Sequence, residues 1–334
     1  KYDPPQVTGM KNILIIRLSS LGDILLTTPV IRSLKKLLPD CNIDYLTKIE
    51  NKETLEFNPH LRKVYIFREE TSLEELTAGG YDLVIDLQNS MKSIKLTSGV
   101  EKKIRFNKSN VKKFLLVNFK LNLLENFPQI PDRYALSIKR SGYLPGFELD
   151  NEGLEMKFPV QTVPLDPRND YIAIAPGSKH FTKRWPEYHF TVLCRMILDS
   201  GAIPVLIGGT SDIKICSAIQ ESEPGVINLC SENELFRISS ILAQCKAAVT
   251  CDSGLMHLSC AVKTPVLVIF GSTVREFGFT PYKNKSIVIE NDSLSCRPCS
   301  HIGKSYCPQK HFKCLTDIQP ADVYESLSRL VYED

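Results

Sequence analysis

At 334 residues, with 43% hydrophobic and 24% charged side chains, the chain has ordinary globular composition and length enough for about two domains. A net charge of +3 is too small to make nucleic acid a general partner. No apolar run of about 18 residues and no basic-then-apolar leader occurs, so neither a spanning helix nor secretion is expected, and the expected compartment is the cytoplasm.

Residues 1–9 are polar and contain proline; they read as a short extension or an expression remnant. The apolar run 12–17 reads as a strand, Ser19-Ser20-Leu21-Gly22-Asp23 as a turn, and 24–38 as a helix stopped by Pro39. Apolar runs at 43–46, 63–67, 82–87 and 103–106 then alternate with helix-compatible segments, the pattern of a parallel sheet with crossover helices. A first domain is expected over 10–150. Periodicity fades among Pro145, Pro159, Pro164 and Pro167, which places a linker at 151–169. Strands resume at 171–175, 203–207, 226–229, 247–250 and 265–270, giving a second domain over 170–319, and 320–334 reads as a terminal helix with Pro320 near its start. The expected fold class is α/β, two Rossmann-like domains whose parallel sheets face a central cleft, with ligands beyond the carboxyl ends of the strands.

The turn at Ser19 to Asp23 stands where a dinucleotide-binding strand would carry three glycines, but only Gly22 is present, so a dehydrogenase is not expected. A carboxylate at a helix start suits two jobs: complementing the helix dipole, worth about 0.3 to 1 kcal/mol, or acid–base chemistry. In the second half four strand-following loops point to a diphosphate. Pro176-Gly177-Ser178 is followed by Lys183-Arg184-Trp185-Pro186, whose lysine suits a phosphate and whose proline opens a helix. Gly208-Gly209 lets a ligand approach the backbone, and Asp252-Ser253-Gly254-Leu255-Met256-His257 leads into a helix whose first amides suit an anion. Singly, each has a plain reading: a tight turn for Gly208-Gly209, a core or capping residue for His257. No Asp-x-Asp metal motif accompanies them.

With these residues the chain resembles the ADP-heptose:lipopolysaccharide heptosyltransferases, inverting glycosyltransferases of family nine with a GT-B fold, and more closely their heptosyltransferase II type. The resemblance runs from Met10 onward and rests on Ile16-Arg17-Leu18-Ser19-Ser20-Leu21-Gly22-Asp23-Ile24, on Ile85-Asp86-Leu87-Gln88 with Lys92-Ser93, and on the loops around Pro176, Lys183 and Asp252. It implies a metal-independent transfer of heptose from ADP-L-glycero-D-manno-heptose to Kdo- or heptosyl-Kdo-lipid A. Asp23 would be the base and Lys183 the phosphate contact. The donor would lie on Gly177, Ser178, Lys183, Gly208, Gly209, Asp212, Asp252, Ser253, Gly254, Leu255 and His257. The acceptor would lie on Ser19, Ser20, Gly22, Gln88 and Lys92. Ser253 replaces a threonine common in the family and Asp212 a glutamate. Transfer to a protein or another polysaccharide, or nucleotide binding without catalysis, are the alternatives.

From Lys92 to Lys120 nine basic residues face one acid, Glu101, and 111–124 interleaves lysines with apolar residues. This reads either as a packed helix with a solvated face or as a dock for the acidic glycolipid acceptor at the inner-membrane surface. Of eleven cysteines, seven lie scattered in apolar segments and read as reduced, buried thiols. Cys296, Cys299, Cys307 and Cys314 have a spacing open to a structural zinc or iron site, to free thiols or to disulfides, with His301 and His311 as spare ligands. Far in sequence from the ligand loops, this segment is expected to serve folding only.

Overall fold

The computed structural model describes residues 9–69, 71, 80–230 and 234–333, so all but Gly9 of the expected extension 1–9 lies outside the described residues. The chain forms two compact units, Lys1–Ser109 with Pro128–Phe158, and Asn110–Phe127 with Pro159–Asp334.

In the first unit β1 (Asn12–Ile16), β2 (Asn42–Thr47), β3 (Lys63–Ile66), β4 (Leu83–Asp86) and β5 (Lys103–Arg105) form one sheet in the order β3-β2-β1-β4-β5. Every neighbouring pair is parallel. β1 is central and buried along nearly its whole length, which is why its sequence is a continuous apolar run rather than an alternation. The expected helix 24–38 is two helices, Leu21–Leu25 and Thr28–Leu37. Pro29 is the cause: inside one continuous helix it would delete a hydrogen bond and strike the carbonyl of Leu25, whereas in the first turn of a new helix it costs nothing. The hydroxyls of Thr27 and Thr28 close the first helix by donating to the carbonyls of Ile24 and Leu25, at 2.7 and 2.8 Å.

The start of the expected linker folds back onto this unit. Arg32, buried in the helix Thr28–Leu37, donates to Asp150 (2.7 and 2.5 Å) and to the carbonyl of Gly153 (2.8 Å), and pairs with Glu155 at 3.0 Å. Asp150 and Glu155 amides bond Ser33 and Thr28. A buried guanidinium needs such neutralising partners, so 150–155 is held as structure.

In the second unit β6 (Tyr171–Ala175), β7 (Ile203–Leu206), β8 (Ile227–Asn228), β9 (Ala247–Cys251), β10 (Val266–Phe270) and β11 (Ser286–Glu290) form an all-parallel sheet in the order β11-β10-β9-β6-β7-β8. Read from β8, this is the doubly wound Rossmann order. β11 is an edge strand that the sequence reading passed over; its signal was the β-branched run Ile287-Val288-Ile289. The lone tryptophan, Trp185, is buried, donates from its indole to the carbonyl of Ile318 at 3.1 Å and packs edge-on to Phe190. The terminal helix Pro320–Tyr332 buries Val323, Leu327 and Leu330 in the same core. Eleven free thiols account for every cysteine, and Cys194, Cys216, Cys251 and Cys314 are core residues.

In each sheet the strand order reverses between two central neighbours, β1 and β4 in the first unit, β6 and β9 in the second. The residues that follow those strands are therefore placed at switch points.

Candidate functional site

In the first unit Arg17 leaves β1 and fastens the two switch-point loops together. Its guanidinium donates to the carbonyl of Leu87 at 2.8 Å and of Ser19 at 3.0 Å, and pairs with Asp23 at 2.5 Å. The Leu18 amide reaches Gln88 Oε1 at 3.0 Å, a second bond between the same loops. Asp23 Oδ2 accepts from the amide and hydroxyl of Ser20 at 3.1 and 3.0 Å. The capping job is thus real, since the Ser20 amide precedes the helix Leu21–Leu25. It does not use up the carboxylate, whose side chain keeps 20% of its surface exposed. Burial alone would raise the Asp23 pKa, but the Arg17 charge and the Ser20 hydrogen bonds outweigh it and hold the carboxyl below its ordinary range.

Two further groups stand in this electrostatic neighbourhood. Asp86, fully buried at the end of β4, accepts from the amides of Gln88 and Asn89 at 3.0 and 2.7 Å, yet burial pushes its carboxyl above the usual range. Lys108 is half-buried; burial first, then the Arg17 charge, lowers its pKa, while Asp86 and Asp23 oppose the shift. Sequence reasoning counted Lys108 only as part of a basic stretch and gave Arg17 no role, although Arg17 stands in the quoted motif. Of the expected acceptor residues, Ser19, Ser20 and Gln88 make contacts in this cluster and Gly22 lies in the same short helix. Lys92 does not join them: it is exposed and paired with Glu69.

In the second unit the strand-following loops converge as expected. Lys183 Nζ lies 2.7 Å from Asp252 Oδ2, and Ser178 Oγ donates to the Asp252 carbonyl at 3.4 Å. Arg184 steadies the Ser178 carbonyl at 2.6 Å. Asp212 accepts from the Gly209 amide at 3.1 Å and lies flat against Gly177, where an added methyl would stand 2.1 Å from its Oδ1. Glycine at 177 and 208 is therefore a requirement of close approach, by a carboxylate of the same unit. Ser253 precedes the helix Gly254–Ala261 without capping it by its side chain, and its buried hydroxyl makes no hydrogen bond. His257 is buried in that helix, with Leu255 in its first turn. Sequence reasoning missed Thr273, whose hydroxyl donates to Asp252 Oδ2 at 2.6 Å. It follows β10, at a loop no motif had marked.

The cysteine-rich segment corrects two expectations. Among the described residues no three His, Cys, Asp or Glu side chains are arranged to hold a metal ion, so the four-thiolate site at Cys296, Cys299, Cys307 and Cys314 is not formed. Cys314 turns into the hydrophobic core, where burial pushes its thiol up to about 12, and Cys299 donates to the Cys296 carbonyl at 3.3 Å. Nor is the segment remote from the ligand loops: the Thr182 amide, beside Lys183, donates to the Lys304 carbonyl at 3.1 Å.

The basic stretch is divided and largely occupied. Residues 92–108 belong to the first unit and 112–120 to the second. Lys103 donates to the carbonyls of Thr97, Ser98 and Val100, and Lys120 to those of Val117, Cys296 and Pro298. Lys112 lies over the Phe127 ring at 4.6 Å and Lys113 over Phe279 at 5.8 Å. On and beside the helix Asn110–Phe119, the apolar side chains of Val111, Phe114, Phe119, Leu121 and Leu123 are exposed, next to Asn118 and Lys120. Among the described residues no helix is long and apolar enough to cross a membrane.

Comparison with known proteins agrees with this geometry. Lipooligosaccharide heptosyltransferase 2 of Haemophilus influenzae is 27% identical, the match covering 96% of this chain and 99% of that protein. The solved structure of the Escherichia coli ADP-heptose lipopolysaccharide heptosyltransferase II superimposes with a TM-score of 0.72 at 25% identity, over 96% of this chain and 98% of that one. A family 9 glycosyl transferase from Veillonella parvula shares the fold with a TM-score of 0.78 at 21% identity, over 97% and 98%. Residues 71–310 match the family description itself, and with two parallel Rossmann-like sheets of the GT-B kind, the chain belongs to glycosyltransferase family 9 (heptosyltransferase).

Proposed function

We propose that this enzyme moves heptose from ADP-L-glycero-D-manno-heptose to the lipopolysaccharide inner core, Kdo- or heptosyl-Kdo-lipid A, in one inverting displacement. The observation that carries the donor half is the pair of Lys183, in the turn Phe181–Lys183 beyond β6, with Asp252 at the end of β9, beside an uncapped helix start. Relatives that match over nearly their full length include heptosyltransferases 2 of Haemophilus influenzae and Escherichia coli, which supports a lipopolysaccharide-core acceptor.

The first unit supplies the base and the second holds the donor. The acceptor oxygen forms a bond to the anomeric carbon as the bond from that carbon to the diphosphate breaks, and the hydroxyl proton passes to Asp23. A carboxylate of lowered pKa is a weak base, but the hydroxyl becomes strongly acidic only as its new bond forms, so an ionised, oriented base suffices. Negative charge grows on departing ADP, where the Lys183 ammonium and the first amides of the helix Gly254–Ala261 stabilise it. Gly177, Ser178, Gly208, Gly209, Asp212, Ser253, Leu255 and His257 complete the donor site, and Ser19, Ser20, Gly22 and Gln88 border the acceptor. Because the leaving charge is met by fixed protein groups, turnover in excess EDTA is expected to stay within about twofold of the untreated rate. A tenfold loss restored by magnesium or zinc would sink this metal-independent reading.

The decisive test of the function is transfer from ADP-heptose to purified Kdo-lipid A and heptosyl-Kdo-lipid A. Product from the second acceptor and none from the first would place the enzyme at the second heptose; no product from either would reject the acceptor class.

The lipid-anchored acceptor places the reaction at the cytoplasmic face of the inner membrane, and the exposed Phe114 and Phe119 give the enzyme an apolar contact there. Most lysines of 112–120 are engaged internally, so binding should depend on these rings more than on charge. Phe114→Ser with Phe119→Ser is expected to weaken sedimentation with anionic vesicles about 100-fold or more, since each ring buried contributes about 1.5 to 3 kcal/mol, while turnover on a delipidated acceptor is unchanged. Equal vesicle binding by the double variant would return this helix to an ordinary surface role.

A further inference from the structure

The donor-side cluster of the second unit is framed by the cysteine-rich segment. Asp252 Oδ2 accepts from Lys183 Nζ at 2.7 Å and from Thr273 Oγ1 at 2.6 Å. Thr273 belongs to the loop Gly271-Ser272-Thr273 after β10, and Arg297 grips that loop through its backbone, donating to the Gly271 carbonyl at 2.6 Å and the Thr273 carbonyl at 2.8 Å. The same guanidinium reaches the Asn291 carbonyl at 2.7 Å and pairs with Glu290, the last residue of β11, at 2.6 Å. Both charged side chains are almost wholly buried, with 4% and 3% of their surface exposed, and a buried guanidinium held by carbonyls, by Glu290 and more loosely by Asp292 at 3.4 Å fixes the two strand ends in one geometry.

The other side of the loop is fastened to the turn that carries Lys183. The Ser272 hydroxyl donates to Thr182 Oγ1 at 2.9 Å and the Ser272 amide to the Thr182 carbonyl at 3.2 Å. The Lys304 amide donates to Thr182 Oγ1 at 2.8 Å. Approach is so close that a methyl on Gly271 would stand 2.7 Å from the Leu315 side chain and 2.8 Å from the Thr182 carbonyl. Lys183, Asp252 and Thr273 thus come from three strand exits, and segment 290–304 binds two of them.

We propose that Thr273 is a positioning residue for the donor diphosphate, and that Arg297, through the loop backbone, sets where its hydroxyl points. The inference rests on the reading that Lys183 and Asp252 belong to the donor site. By occupying a lone pair of Asp252 Oδ2, the Thr273 hydroxyl fixes the carboxylate's rotation and spreads its charge over two donors. The Lys183 ammonium then meets an oriented carboxylate on one side and can offer its remaining N–H groups to a diphosphate. Without the hydroxyl, the carboxylate rotates and holds the ammonium more fully, at the ligand's expense.

The test compares the whole enzyme with Thr273→Val, Thr273→Ser, Arg297→Lys and Lys183→Met, reading ADP affinity by calorimetry, KM for each substrate, kcat and melting temperature. Thr273→Val is expected to raise the ADP Kd and the donor KM about 10-fold, the effect of one hydrogen bond to a charged group, without moving the acceptor KM. Thr273→Ser restores both to within about twofold. Arg297→Lys, which keeps the charge but cannot bridge the carbonyls, shifts the donor KM in the same direction and carries the test if the valine variant melts early. Wild-type ADP affinity in Thr273→Val, or failure of serine to restore it, overturns the proposal while a weakened Lys183→Met leaves the donor-site reading standing. If Lys183→Met binds ADP like the wild type, the donor-site reading falls and this inference with it.

Discussion

Asp23→Asn is expected to lower kcat by about 100-fold or more while leaving ADP affinity within about twofold, because the substitution removes proton acceptance and leaves the second unit untouched. The capping role makes a different forecast. If Asp23 served only to close the helix Leu21–Leu25 and to neutralise Arg17, the asparagine variant would melt earlier yet turn over at nearly the wild-type rate, since Arg17 keeps the Leu87 and Ser19 carbonyls as partners. Steady-state kinetics beside a melting curve separates the two, and retained kcat would remove the base assignment. The pH dependence has a definite sign. A carboxyl held below its ordinary pKa stays ionised down to acid pH, so the rate falls only as pH drops through that lowered value. Arg17→Met removes the charge that opposes burial, so the acid limb of log kcat is expected to move to higher pH. A limb that stays in place would show that Asp23 is not the titrating base.

Lys183→Met is expected to lower kcat/KM for the donor by about 10² to 10³, the scale seen when one group facing a developing negative charge is removed. The loss has two parts. The ammonium no longer meets the diphosphate, and the Asp252 carboxylate, with 9% of its side chain exposed, loses its counter-ion and repels the same ligand. Adding Asp252→Asn to Lys183→Met relieves the second part, so the double variant should bind ADP more tightly than Lys183→Met alone. Strictly additive losses would show that the two residues act independently on the donor. The pair also means that Lys183 is not an isolated charge awaiting phosphate: donor binding competes with, or shares, an existing partner.

How far these sites could be read from the sequence varied by element. β1, β4, β6, β9 and β10 were legible because strands covered on both faces must be continuous apolar runs between turn residues. β11 was passed over although the shorter edge strands β3, β5 and β8 were found; its run Ile287-Val288-Ile289 carried the same signal. The helix 24–38 was misread as one element, since its amphipathic spacing continues across Pro29 and only the backbone chemistry of that proline breaks it. Residues 151–155 looked like linker because periodicity fades among the prolines around them, yet the buried Arg32 more than a hundred positions earlier binds them into the first unit.

Asp23 in the turn before a helix after β1, and Lys183, Asp252 and Asp212 in loops after strands, were evident without coordinates, because turn chemistry and helix-start residues are local properties of neighbouring positions. The connections between them were not. Arg17 joining the loops after β1 and β4, Thr273 completing the Lys183–Asp252 pair, and Arg297 reaching Gly271 and Thr273 are all contacts between segments distant along the chain. The cysteine spacing illustrates the limit: it left a metal site, free thiols and disulfides open, and only the tertiary structure shows Cys314 as part of the hydrophobic core. Local sequence determined which residues end strands and begin helices; the order of the strands in each sheet, a global property of packing, alone decided which of those ends meet.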